Sequence, residues 1–183
     1  MFYLATTRFT NDTYKENINY RNKQGLPVIY GSPVKIRDKY PIGSLIFVIE
    51  MNISKETNRI EGIGLIRNNL VYDKQHKIYE NGEYNRYIYK GDYWISRKDI
   101  DTDIVTIFDT ILFKGKTHQK RYIGVTMLTE KLFIHWPYEL YTLKNKIRNI
   151  FVDNFKTSEC FEKDEEPDYF EIEIKSKTRK NIK

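Results

Sequence analysis

One run of residues constrains this chain more than any other: Gly43-Ser44-Leu45-Ile46-Phe47-Val48-Ile49-Glu50-Met51 is almost continuously apolar and rich in β-branched residues. Short runs of this kind suit a strand covered on both faces, so residues 44–51 predict the middle of a sheet. Pro41-Ile42-Gly43 turns the chain into it, and the polar stretch 52–58 reads as a hairpin loop leading to a second strand over Arg59–Arg67. Gly62 and Gly64 fall on one face of that second strand. The missing side chains there admit close approach by another backbone or a ligand.

Around this hairpin the pattern alternates between the two periods. Phe2–Phe9 reads as a strand. Thr13-Tyr14-Lys15-Glu16 has the spacing of a capping box, so a short helix is expected near residues 13–22, with Gly25 to end it. Residues 25–33 are punctuated by glycine and proline and predict an ordered loop with a short extended piece. Residues 84–89 read as a further strand, Gly91-Asp92 as a turn and Tyr93-Trp94-Ile95 as a short return. Past residue 100 the period becomes helical. Ile104, Val105, Phe108, Ile111 and Leu112 mark one helix, with Asp101-Thr102-Asp103 at its N-terminus, and Leu140, Leu143, Ile147, Ile150 and Phe151 mark another after Pro137. Residues 125–136 between them are expected to contribute one or two extended segments. Glu159, Glu162, Asp164, Glu165 and Glu166 form an acidic stretch, residues 169–174 alternate as an edge strand, and residues 175–183 are a basic tail. A chain of 183 residues with no repeat or linker then reads as one α+β domain over 1–174, β-rich to residue 100, more helical over 101–158 and followed by the tail.

Composition narrows the chemistry. A single cysteine, Cys160, excludes an internal disulfide and a thiolate zinc cluster, and three scattered histidines suggest neither a metal site nor a nucleophilic triad. No stretch approaches the roughly 18 apolar residues of a membrane span, and Met1-Phe2-Tyr3-Leu4 lacks the pattern of a secretory signal. The expected location is intracellular, in cytoplasm, nucleus or a virion. Abundant Ile, Lys, Asn and Tyr beside a lone alanine, Ala5, point to an A/T-rich genome such as that of a large DNA virus or a protist. The net charge is +6, with 15 Tyr, 10 Phe and 2 Trp. Cations favour polyanions through counterion release, and rings beside them are the materials for stacking unpaired bases.

Three groups of residues are candidates for chemistry. Residues 114–126 hold Lys116, His118, Lys120 and Arg121 among glycines and hydroxyl residues, a composition suited to a phosphate-binding loop. It is no P-loop, because Gly115-Lys116-Thr117 has no glycine five positions earlier. Tyr30, Tyr93, Trp94 and Trp136 sit beside turns, where rings can stay exposed as base platforms or else pack inward. Asp168 with Glu173-Ile174-Lys175 has the letters of a Mg²⁺-dependent nuclease, but in too short a span for two strands. Asp101 and Asp103 suit a helix N-terminus better than a metal pair.

Taken in order, the strand Phe2–Phe9, the capped helix, the Gly/Pro loop, Gly43-Ser44-Leu45-Ile46-Phe47-Val48-Ile49-Glu50 and Ile60-Glu61-Gly62-Ile63-Gly64-Leu65-Ile66 resemble the PUA-like superfamily, with its EVE, ASCH and YTH branches. The resemblance spans residues 2–100. It implies a partly open β-barrel with flanking helices that binds RNA or DNA and, in some branches, encloses a modified base in an aromatic pocket. By position it makes Tyr30, Ser32 and Trp94 pocket residues. No tryptophan precedes the residue 44 strand, which departs from the YTH pattern and from reading of N6-methyladenine. The leading expectation is a non-enzymatic nucleic-acid-binding domain without cofactor or membrane partner and of undetermined oligomeric state. In it Lys116, His118, Lys120 and Arg121 hold phosphates while Tyr30, Ser32 and Trp94 receive a base. The alternatives are a Mg²⁺-dependent nuclease or nucleotide-processing enzyme using Asp101, Asp103 or Glu173, and a structural protein of a virion.

Overall fold

In the computed structural model, which describes residues 2–156, the apolar run is the middle strand of a five-stranded sheet. The elements follow as β1 (Phe2–Phe9), α1 (Asn11–Gln24), β2 (Val28–Ser32), β3 (Leu45–Asn52), β4 (Arg59–Arg67), β5 (Tyr87–Gly91), β6 (Tyr93–Ser96), α2 (Thr102–Ile111), β7 (Thr126–Met127), α3 (Glu130–Phe133) and α4 (Leu140–Phe155). The sheet order is β6-β4-β3-β1-β7; β1 runs parallel to β3, and the other neighbours are antiparallel. The α+β class expected from the sequence is what the chain adopts. No closed barrel forms: the described strands make an open five-stranded sheet and a separate β2-β5 ribbon. Gly91, where β5 gives way to β6, lies so close to the Leu65 backbone that no Cβ would fit. β5 thereby passes against β4 without extending its ladder, because β6 already pairs with β4 through Gly62 to Leu65.

Both faces of the sheet are covered, as a doubly apolar central strand demands. Phe47, Ile49 and Met51 of β3 join Phe2, Leu4, Ile63 and Leu65 against Ile104, Phe108 and Ile111 of α2 and Leu143, Ile147 and Phe151 of α4. Phe47 meets Phe2 edge-on at 5.5 Å and Phe151 at 4.9 Å. The opposite face presents Ala5, Ile46, Val48 and Ile66 to the β2-β5 ribbon and to residues 78–79. Helix α1 covers that face in a different manner, since its buried residues are Asn17 and Arg21.

Local signals explain most boundaries, with four corrections. α1 begins at Asn11, two residues ahead of the expected box: Thr10 is the N-cap, its hydroxyl accepting from Thr13 N–H while Thr13 Oγ1 accepts from Thr10 N–H. Threonine at the third helical position thus does the work assigned to Glu16. Gly25 ends the helix in the left-handed region at φ 64°. Residues 82–85 form a 3₁₀ turn, so the strand expected from residue 84 starts at Tyr87. Residues 125–136 contribute one strand, Thr126–Met127, as expected, but Glu130–Phe133 are helical, because Leu132 and Phe133 turn into the core. Asp101 is the residue before α2 but makes no capping hydrogen bond with its side chain. The acidic stretch, the 169–174 strand, Glu173 and the basic tail lie outside the described residues.

Candidate nucleic-acid interface

A groove of about 530 Å³ lies between residues 34–40, which follow β2, and residues 116–132. Lys35, Arg37, Lys39, Lys116 and Lys131 line it, and no carboxylate does. All five are exposed; Lys35 is paired with Asp38 at 2.8 Å, and Arg37, Lys39, Lys116 and Lys131 have no ion pair among the described residues and present their charge to whatever enters the groove. The near wall is ordered by the Tyr89 hydroxyl, which accepts from Ile36 N–H at 2.9 Å, and by Ser32, whose hydroxyl donates to the Val34 carbonyl at 2.5 Å. The far wall hangs from the edge of the sheet. β7 pairs with Ala5 and Thr6 of β1, Leu128 N–H donates to the Leu4 carbonyl at 2.9 Å, and Arg8 Nη1 donates to the Lys120 carbonyl at 2.7 Å. Tyr40 and Tyr122 supply rings to the lining, Tyr122 being 52% exposed. Lys39 Nζ stands 5.0 Å from the Tyr40 ring centre.

A smaller pocket of about 210 Å³ opens on the other side of the far wall. Thr7, Arg8, Thr13, Tyr79, Tyr84 and Asn81 contribute to it, with Gly31 and Gly124 forming the close-packed part. At Gly31 a Cβ would sit 3.0 Å from the Tyr79 ring, and at Gly124, with φ 70°, 3.3 Å from Val34 Cγ2. The Tyr79 hydroxyl accepts from Asn17 Nδ2 at 3.0 Å, and burial pushes its pKa up, so it stays protonated. Gly124 borders the pocket while Ile123 and Val125 border the groove, so one stretch of chain separates the two.

Of the residues singled out in the sequence, Lys116 alone lines the groove. Arg121 is exposed but outside the lining, and Lys120 points its ammonium over the Phe113 ring at 5.5 Å. His118 has a buried Nδ1 without a hydrogen bond. Ser32 is fully buried, its hydroxyl committed to the Val34 turn. Tyr30 and Trp94 do come together, but around a carboxylate inside the fold. Glu50, fully buried on β3, accepts from Arg21 Nη1 at 2.9 Å, Tyr30 Oη at 2.7 Å and Trp94 Nε1 at 3.0 Å. Arg21 also stacks over the Trp94 ring at 5.0 Å and donates to the Pro27 carbonyl. Burial, reinforced by Glu50, drives the Tyr30 hydroxyl well above its ordinary range. A buried carboxylate needs such donors, and this requirement withdraws the fully buried Tyr30 from service as a base platform, whereas Trp94 is half-buried and its ring also borders a separate open cleft with Tyr14, Arg59 and Arg97.

Gly62 and Gly64 make that arrangement possible. A Cβ on Gly64 would overlap the Tyr30 hydroxyl, and one on Gly62 would lie 2.8 Å from the Trp94 ring. The close approach expected at these glycines is made at Gly62 by a backbone, the Ile95 carbonyl 2.7 Å from an added Cβ, as well as by the Trp94 ring, and at Gly64 by the side chains of Tyr30 and Val28. Missed in the sequence were Lys35, Arg37, Lys39, Tyr40 and Lys131, while Tyr122 lay within the 114–126 loop without a role of its own. The signal for the first three was present as the alternation Lys35-Ile36-Arg37-Asp38-Lys39, which buries Ile36 and turns the cations outward. Among the described residues no group of three His, Cys, Asp or Glu could hold a metal ion, and no helix is long and apolar enough to cross a membrane.

No protein family, curated protein or solved structure matches this chain.

Proposed function

We propose that the protein is a nucleic-acid-binding module of PUA-like character, in which the groove holds the phosphate backbone and the neighbouring pocket receives a single base. The observation that carries this reading is the groove lining, five cations with no carboxylate among them. Such a surface is attracted to phosphate and releases counterions from it. The pocket supports the second half: the half-buried Tyr84 offers ring surface beside the almost fully buried Tyr79, while Thr7, Thr13 and Asn81 bring polar groups for a base edge. Under this division the groove supplies affinity and the pocket supplies preference. The order strand, capped helix, Gly/Pro loop and central hairpin supports the PUA-like part.

The test is equilibrium binding of labelled RNA and DNA over a series of salt concentrations. Affinity falls with salt, and replacing Lys116 and Lys131 together with alanine lowers the slope by about 1.5 units. An unchanged slope removes the groove from the proposal. Including Mg²⁺ in the same incubation separates a binder from a nuclease, since a binder leaves the strands intact.

A further inference from the structure

The groove has a neighbour. A second cleft of about 450 Å³ shares Lys35, Ile36 and Tyr40 with it and continues over the other flank of residues 34–40 to Ile42, Leu70 and Tyr72. Both volumes fall in the roughly 300–1,000 Å³ range of small-ligand sites. The apolar groups of this region are unusually open: Tyr72 and Ile42 are each 84% exposed, Tyr122 52% and Val34 51%. Exposed rings thus flank a loop whose charged side chains are Lys35, Arg37, Lys39 and one acid, Asp38, which is held by Lys35 at 2.8 Å.

Cations alone would serve a duplex, whose bases are stacked away from the surface. Exposed rings on both sides of the cations have no role there, but they fit unstacked bases with the backbone held between them. Resting on the nucleic-acid reading above, we infer that the two clefts form one continuous track for a single-stranded nucleic acid, with Tyr122 and Tyr72 stacking bases at its two ends and Lys35, Arg37 and Lys39 gripping the phosphates that cross the shared loop.

Fluorescence anisotropy tests this with a labelled 12-nucleotide thymidine strand, the matching uridine strand and a duplex of the same length. The single strands bind at least tenfold more tightly than the duplex. Tyr72→Ala and Tyr122→Ala each weaken single-strand binding by roughly tenfold with the salt slope unchanged. The triple change of Lys35, Arg37 and Lys39 to alanine lowers that slope by about two units. Both tyrosines are exposed, and circular dichroism verifies that the variants keep the fold. Equal affinity for strand and duplex, or wild-type binding by Tyr72→Ala, overturns the track while leaving the nucleic-acid reading standing. Absence of binding to any of the three probes at low salt overturns the nucleic-acid reading, and the track with it.

Discussion

Glu50 brings a carboxylate into the sheet, where the Arg21 guanidinium balances its charge and Tyr30 and Trp94 complete three donors from α1, β2 and β6. Removing the charge strands Arg21, which is itself buried and has no other carboxylate partner among the described ion pairs. Glu50→Gln is therefore expected to cost about 3–5 kcal/mol, read as a shift in the midpoint of urea unfolding. A loss under about 1 kcal/mol would mean that the pair contributes little beyond its packing. At this scale the sequence is a partial guide. Tyr30 and Trp94 stood out by type and position, but their common partner lies 20 and 44 residues away, and no local pattern announces a hydrogen bond across that distance.

Among the elements, β4 is shaped by what it lacks. Gly64 faces Tyr30 and Val28, whose Cγ2 would lie 2.9 Å from an added Cβ, so Gly64→Ala must push β2 away from the sheet. The expected cost is about 1–3 kcal/mol, measured by thermal or urea unfolding. Elements with strong local signals were legible: the apolar β3, the helices α2 and α4 with their apolar stripes, and the Gly25 terminus of α1. The short ones were not. Residues 82–85 and 130–133 take their form from tertiary placement, the latter because Leu132 and Phe133 must reach the core, and such placement overrides propensity in segments of four residues. The groove was half legible for a related reason. Its Lys116 lay in a cluster visible along the chain, whereas the cations that oppose it arrive from a loop some 80 residues earlier, brought there only when β7 pairs with β1.

The molecule as a whole carries an alkaline limit. Tyr14, Tyr30, Tyr79 and Tyr89 all have their hydroxyl pKa raised, in each case chiefly by burial. In the unfolded chain these phenols ionise near 10, so the difference between folded and unfolded states favours the fold fully below that pH. As pH rises beyond it the unfolded chain releases protons first, and stability falls. Urea unfolding between pH 8 and 11.5 should show a flat region followed by a decline that begins near pH 10; a constant midpoint across the range would contradict the burial of these hydroxyls. The far wall of the groove joins the sheet through a short ladder, since β7 contributes only two residues to it. A fastening that short can come undone while the central hairpin stays intact. For the proposed nucleic-acid ligand this would mean lateral entry: an internal stretch of a long polymer would be clasped from the side, with no free terminus to thread.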